Sequence, residues 1–541
     1  MASLAPGSPH FSGLTLSLEH SLPAVIAHVA RRHEDRTFIV EADGSRTSFG
    51  AFEVQVARLS AALVAHGIEH GDRVAIWAPN GREWIVAASA IESIGAILVP
   101  INTRFKGREA GFALSKTRAS ALFTVGEFLG NNYTAMLREA CGDALGDTPC
   151  AGLPALRHIV EMDGDAFETF QATRSDPSVV AARMAAVRPQ DIADILFTSG
   201  TTGEPKGAMH NHGQALWMPA VWNEANDLRA GDRMVIVNPF FHSFGYRSGW
   251  VSALIAGITV YPIASFDAAN LLALIDREAI SVLMGPPTIF FSLMEHPGFA
   301  DHDLSSLRVG HTGAANVPVD LIRAAREQFG FEIFLTSFGQ TESTALVTVN
   351  RPGDSFETIA KTVGLPLPGV ELRISRSDGG QAPQGESGEL LVRGPNVMQG
   401  YFEEPEQTAA TIDAEGWLHT GDVACIGVDG RLRILDRLKD VVIVGGFNAY
   451  PAEIENMLRQ HPAIADAAVL AWPDERMGEV CAAVVILAPG ADLSLAELSA
   501  WSREQMANYK VPRHLFMVSE FPRTPLGKVQ KFALREQLAD I

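Results

Sequence analysis

The chain has 541 residues, 47% hydrophobic and 20% charged, with a formal net charge of −20. That length exceeds what one core holds, so two or more domains are expected. The acidic balance argues against nucleic acid or an anionic membrane as a partner and obliges an anionic ligand to find a local positive site.

No basic patch followed by an apolar core occurs in the first 22 residues, so no signal peptide is expected. No run of about 18 apolar residues occurs, so no membrane span is expected. Cys141, Cys150, Cys425 and Cys481 lack metal-ligand spacing and read as reduced thiols of a cytoplasmic protein.

In chain order, helical periodicity predicts helices over Leu22–Arg32 and Phe49–His66, the second capped by Gly67. Arg73–Trp77 and Ala96–Val99 read as strands around a helix over Glu83–Gly95. Ile195–Phe197, Met234–Val237, Thr259–Tyr261, Ser281–Met284 and Glu332–Leu335 read as further strands, with helices over Asn270–Glu278 and Val319–Phe329. This β-α-β alternation implies a parallel sheet with covered faces. From near Gly364 to about Leu435, short strands and Gly/Pro turns suggest a β-rich subdomain. The charged stretch Asp436–Asp440 follows, and about a hundred residues remain, enough for a small α+β domain.

Thr198-Ser199-Gly200-Thr201-Thr202-Gly203 is six consecutive Gly, Ser or Thr residues, followed by Pro205 and Lys206. Glycines let the backbone turn tightly, hydroxyls and freed N–H groups act as donors, and Lys206 adds a charge. That is a cradle for phosphate oxygens, though neither a Walker A loop nor a G-x-G-x-x-G fingerprint. Ser337-Phe338-Gly339-Gln340-Thr341-Glu342 follows a strand, where open α/β sheets bind ligands. Phe338 offers a flat ring, Thr341 a hydroxyl for phosphate and Glu342 a hard carboxylate for Mg²⁺. Taken alone, Glu342 reads as a solvated acid. Asp422, in Thr420-Gly421-Asp422, can accept two ribose hydroxyls, and Arg437 can bind ribose or phosphate. Pro522-Arg523-Thr524-Pro525-Leu526-Gly527-Lys528 is a stiffened loop presenting one lysine.

Together TSGTTGEPKG, FGQTE, TGD, DRLKD, GGFNAYPAEIE and PRTPLGK resemble the adenylate-forming superfamily of acyl-CoA synthetases, adenylation domains and luciferases, over nearly the whole chain. Segments such as Asn238–Tyr246, Gly285–Thr288 and Asp303–Arg308 most resemble actinobacterial acyl-CoA ligases of steroid catabolism, of the indanedione-propanoate:CoA ligase type.

The resemblance implies an α/β fold: an N-terminal domain over 1–435 with two α/β-sheet subdomains and a β-rich one, a hinge at 436–440, and a mobile α+β domain over 441–541. It implies ATP, Mg²⁺ and CoA as cofactors or co-substrates and a small-molecule carboxylic acid as partner. Thr198 to Gly203 and Lys206 would hold the β- and γ-phosphates. Gly313, Ala314 and Ala315, with Ser337 and Phe338, would form the adenine slot, with Phe338 where Tyr is commoner, and Gly339 would also belong to the nucleotide site. Thr341 would touch the α-phosphate, Glu342 the metal, and Asp422 and Arg437 the ribose. Lys528 would contact the carboxylate and α-phosphate in the transition state. Lys439 would be the pivot, and Gly445, Gly446 and Phe447 would guide CoA.

His242, Tyr246, Arg247, Gly285, Gly339 and Ser343 would line the acyl pocket. His242 is expected to have no acid–base role, since a carboxylate substrate is already ionised at pH 7. Arg247 either faces that pocket, to meet a keto or second acidic group, or lies on the surface. The alternatives weighed are a medium- or long-chain fatty acyl-CoA synthetase, carrier-protein loading (disfavoured because no carrier domain follows Ile541 and no large insertion is evident), a luciferase-like oxygenase and an inactive adenylate-binding protein. A homodimer and a lysine acetyltransferase acting on Lys528 are open expectations.

Overall fold

The computed structural model describes residues 9–144, 149–198, 205–313, 317, 319–376, 378–444, 447–474, 477–506, 508–523 and 529–538; at 439, 443, 447 and 448 it describes the backbone alone. Two largely parallel sheets carry the first 370 residues. One has seven strands in the order His158–Glu161, Ala121–Thr124, Arg73–Trp77, Ile97–Pro100, Ile192–Thr198, Lys206–Asn211 and Gly400–Tyr401. Its first five run parallel and its last two antiparallel. The other has nine strands, with Ile333–Phe338, Val309–Thr312, Val282–Gly285, Arg233–Ile236, Thr259–Pro262 and Thr37–Val40 parallel in its middle.

The central strands are apolar because both of their faces are covered. Val74 to Trp77 and Ala193 to Leu196 are buried without a break. The helices carry their own start and stop signals. Leu22–Arg32 has Pro23 in its first turn, where no N–H is missed, and Arg31 and Arg32 in its last, against the negative end of the dipole. His212–Ala225 opens with a reciprocal Asn211–Gln214 capping box and is buried on nearly every side, so it packs between layers. The helix expected over Val319–Phe329 has those bounds.

The β-rich segment forms a four-stranded antiparallel sheet of Glu371–Ser375, Gly388–Arg393, Leu418–Ile426 and Leu432–Arg437. After the short 3₁₀ turn Leu438–Asp440, a five-stranded sheet built on the Ile464–Asp474 and Gly478–Leu487 hairpin packs with helices Pro451–Leu458, Leu495–Gln505 and Lys531–Leu538. It has cores of its own around Val442, Ile454, Val469 and Leu498 and around Ala468, Leu470 and Leu534. The architecture is a large N-terminal α/β assembly followed by a small α+β domain. Among the described residues no helix is long and apolar enough to cross a membrane, and all four cysteines are free thiols.

Two features depart from the sequence reading. Lys206–Asn211 returns as a strand antiparallel to Ile192–Thr198, a strand the sequence reading did not include. The segment after His242 winds into a short helix and then a π-helix, Tyr246–Val251, whose wider turn no hydrophobic period announces.

Candidate active site

Antiparallel pairing sets Thr198 directly across from Lys206, so those two residues close the base of the hydroxyl-rich loop. Residues Ser199, Gly200, Thr201, Thr202 and Gly203 lie outside the described residues. The Thr198 hydroxyl donates to Glu342 Oε1 at 3.3 Å, and the Tyr401 hydroxyl donates to the same oxygen at 2.9 Å. Burial, and then the charge of Glu342, raises the pKa of the Tyr401 hydroxyl, so it remains a donor. Lys206 is buried; its ammonium donates to Gln407 Oε1 at 2.8 Å and stands 5.1 Å from the centre of the Tyr401 ring. Thr198 and Lys206, at the base of one loop, thus meet Glu342 from far along the chain, and Tyr401 joins them.

Glu342 belongs to a single 3₁₀ turn, Thr341–Ser343, beyond the strand Ile333–Phe338. Thr344 and Ala345 follow it in left-handed backbone conformations, at φ 52 and 77. Such residues typically cost about 1–3 kcal/mol each and persist only where surrounding contacts fix them. Those contacts are present. His210 Nε2 meets the Thr341 carbonyl at 2.7 Å, the Met398 N–H donates to the Glu342 carbonyl at 2.9 Å, and Thr344 Oγ1 donates to the Asn396 carbonyl at 2.7 Å. Gly339 is required here: a Cβ on it would sit 2.0 Å from the Ala345 carbonyl oxygen.

Ser337 and Phe338 end the same strand, both half-buried. The Asn226 amide donates its N–H to the Trp222 carbonyl at 2.9 Å, which leaves its oxygen facing His311 Nδ1 at 2.9 Å. His311 Nε2 is then bare and accepts the Ser337 hydroxyl at 3.0 Å. Burial lowers His311 to about 3, so the ring is neutral and this tautomer orients Ser337. Gly313 follows the neighbouring strand, and among the described residues the Ser337 carbonyl, at 3.7 Å, lies near the position of a Cβ on it. Ala314 and Ala315 lie outside the described residues.

Asp422 and Arg437 are cross-strand partners in the antiparallel sheet. Arg437 Nε is 3.0 Å from Asp422 Oδ1, and Arg437 Nη1 donates to the Thr420 carbonyl at 3.1 Å. Asp436 accepts the Ala452 N–H at 2.7 Å, so a side chain before the 3₁₀ turn caps the first helix after it. Lys439 lies in that turn and Phe447 in the strand Phe447–Ala449. Gly445, Gly446 and Lys528 lie outside the described residues.

Of the expected acyl-pocket residues, His242 caps the short helix, its Nδ1 accepting the Phe244 N–H at 3.2 Å. Burial lowers it to about 4, so it is neutral at pH 7. Gly285 ends the strand Val282–Gly285, and Ser343 is buried with its hydroxyl donating to the Gln340 carbonyl at 3.0 Å. Tyr246 and Arg247 have 0% exposure. The Tyr246 hydroxyl donates to Glu92, and the Arg247 guanidinium pairs with Asp194. Arg247 is therefore no surface charge, and an internal carboxylate takes up part of its hydrogen-bonding capacity.

Sequence reasoning missed Tyr401, Gln407, Asp194, His210 and Glu92. Only Arg247, a charge just ahead of an apolar run, carried a signal that an internal partner was needed. Among the described residues no three His, Cys, Asp or Glu side chains form a metal cage. Glu342, one hard carboxylate beside a hydroxyl, suits Mg²⁺ held mainly by phosphate oxygens and water.

The chain matches the AMP-binding enzyme family over residues 26–402 and the AMP-binding enzyme C-terminal domain over 453–528. It is 45% identical over 521 residues to a 3-[(3aS,4S,7aS)-7a-methyl-1,5-dioxo-octahydro-1H-inden-4-yl]propanoyl:CoA ligase of Mycobacterium tuberculosis, covering 95% of this chain and 98% of that protein. A Rhodococcus jostii protein of the same name is 43% identical over 524 residues, with 95% and 98% covered. The crystal structure of an anthranilate CoA ligase in complex with anthranoyl-AMP superposes with a TM-score of 0.85 at 28% identity, covering 97% of this chain and 99% of that one. The chain belongs to the AMP-binding enzyme family, as one of its acyl-CoA synthetases.

Proposed function

We propose that the protein is an ATP-dependent acid:CoA ligase acting on a bulky polycyclic acid of the indanedione-propanoate type. The convergence of Thr198, Lys206, Tyr401 and Glu342 on one point carries the nucleotide half of this reading. Identity of 45% across 95% of the chain supports the acid.

In the first step an oxygen of the substrate carboxylate attacks the α-phosphorus of ATP. A P–O bond forms, the bridging α–β P–O bond breaks, and pyrophosphate leaves with the electron pair. No base is needed, because the carboxylate is ionised at pH 7. In the second step the CoA sulfur attacks the acyl carbon: a C–S bond forms, the C–O bond between the acyl carbon and the phosphate breaks, AMP leaves with that electron pair, and the thiol proton passes to water. The loop from Thr198 to Gly203, with Lys206, holds the β- and γ-phosphates. Gly313, Ala314, Ala315, Ser337, Phe338 and Gly339 hold the base, Thr341 meets the α-phosphate, and Asp422 and Arg437 hold the ribose. Glu342 binds Mg²⁺, which screens the phosphate charge when bound. His242, Gly285, Gly339 and Ser343 face the acyl group, with Tyr246 and Arg247 behind them.

We further propose that 1–435 and 441–541 act as two bodies about 436–440, pivoting at Lys439. One pose brings Lys528 to the α-phosphate; the other brings Gly445, Gly446 and Phe447 to CoA. A cytoplasmic location, a homodimer and acetylation of Lys528 complete the reading; acetylation would remove the lysine charge.

The test is a panel of fatty, aromatic and steroid-derived acids, with AMP release measured with and without CoA. The reading requires CoA-dependent acyl-CoA formation with kcat/KM highest for the polycyclic acids. A preference for straight-chain acids would favour the fatty acyl alternative. AMP release without transfer to CoA would favour loading of a carrier protein.

A further inference from the structure

Behind the nucleotide site lies a buried polar array that no step above uses. Asp194 sits mid-strand in Ile192–Thr198, and His210 is its cross-strand partner. Asp194 Oδ1 is 2.9 Å from His210 Nδ1, and Asp194 Oδ2 takes the Arg247 guanidinium and lies 3.4 Å from the Tyr246 hydroxyl. Tyr246 also donates to Glu92. Asp194, His210 and Arg247 are all 0% exposed. Such an array is a poor source of stability, because removing its charges from water costs about as much as their attraction returns.

The array leads to one place. His210 Nε2 reaches the Thr341 carbonyl at 2.7 Å, and a carbonyl only accepts, so Nε2 carries a hydrogen. On its far side the Asp194 carboxylate also only accepts, so Nδ1 donates as well and the ring is fixed between two acceptors. The bonded carbonyl belongs to the turn that carries Glu342, and that turn runs into two left-handed residues, Thr344 and Ala345. A turn under strain keeps its shape only while such contacts hold it.

We propose that Asp194 and His210 are positioning residues for the adenylation step: the pair grips the Thr341 carbonyl and so sets the Thr341 hydroxyl and Glu342 carboxylate against the α-phosphate and its metal. Through Arg247 and Tyr246, on the π-helix, the same pair ties the acyl-pocket wall to that turn. This rests on the ligase reading above, and the parent enzyme tests that reading separately by turning over the acid or failing to.

Adenylate formation is measured as pyrophosphate release against Mg²⁺ and acid concentration, for the parent, His210→Leu, His210→Gln and Asp194→Asn. Thioester formation from supplied acyl-adenylate and CoA is measured alongside. His210→Leu should lower kcat for adenylation about tenfold to a hundredfold and raise the half-saturating Mg²⁺ concentration, as slight misplacement of reacting groups does. The KM for the acid and the rate of the second step should stay within about twofold. His210→Gln, which keeps an N–H for the Thr341 carbonyl, should recover most of the loss, and Asp194→Asn should fall between. A folded His210→Leu enzyme with parental kcat and Mg²⁺ dependence overturns the proposal. So does equal damage to both half-reactions, or failure of every variant to fold, since the array would then serve stability alone.

Discussion

The Tyr401 hydroxyl donates to the Glu342 carboxylate at 2.9 Å while its ring lies 5.1 Å from the Lys206 ammonium. One aromatic side chain therefore supports both the candidate metal ligand and the candidate phosphate lysine. Tyr401→Phe keeps the ring and removes only the donor. A carboxylate that ligates a metal and loses its orienting hydrogen bond typically costs about 10–100-fold in metal affinity or activity. The half-saturating Mg²⁺ concentration for pyrophosphate release should rise accordingly in Tyr401→Phe, with the KM for the acid unchanged. An unchanged Mg²⁺ curve would show that Glu342 does not need this support.

Asp422, the proposed ribose ligand, has its carboxylate held by Arg437 at 3.0 Å. Hydrogen bonds to a charged group contribute about 1.5–3 kcal/mol. Asp422→Ala should therefore raise the KM for ATP roughly tenfold to a hundredfold and leave the KM for CoA near the parental value. Steady-state kinetics with each substrate varied in turn separates the two. Equal increases for both would point to a collapsed sheet instead of a lost ribose contact.

The hydroxyl-rich stretch and the Phe338–Glu342 turn stood out in the sequence as candidates because their chemistry is contiguous: glycines, hydroxyls and a charge follow one another along the chain. Helix Val319–Phe329 and strand Arg73–Trp77 were legible for a similar reason, since each carries its period within its own residues. Tyr401 was not. It meets Glu342 across 59 residues, and Lys206 meets Gln407 across 201, and no local pattern encodes such a meeting. Arg247 was recognised as ambiguous; its partner Asp194 sits in a strand whose apolar neighbours concealed it. The π-helix was invisible because its wider turn leaves no repeat in so short a segment.

Burial, reinforced by the nearby Asp194 charge, pushes Glu92 up from 4.5 to about 8. Its folded value thus lies above its unfolded one. Between these two pH values the unfolded chain releases a proton that the folded chain retains, so rising pH favours unfolding. The contribution is fully present below about pH 4.5 and lost by about pH 8. At pH 7 the loss is roughly 3 kcal/mol. Glu92→Gln still offers Tyr246 an oxygen and has nothing to titrate. Thermal unfolding between pH 5 and 8 should show a shallower decline for the variant, with the largest gain near pH 8. A parental slope in Glu92→Gln would place the titration elsewhere.

Lys528 is assigned to the adenylation half-reaction alone, and that assignment makes a strong test. The carboxylate and the α-phosphate are both anionic, and their approach needs a cation present only in the transition state. Removing such a contact typically costs about 10²–10³-fold in rate. Lys528→Ala should lose adenylate formation by that factor while binding ATP with near-parental affinity. The same variant, given preformed acyl-adenylate and CoA, should make the thioester at close to the parental rate, because attack of the thiol at the acyl carbon makes no demand on this lysine. Lys528→Arg, charged but longer and forked, should fall between the two. Loss of both half-reactions together would mean that the lysine holds the small domain in place, and an undiminished first step would remove it from the chemistry altogether.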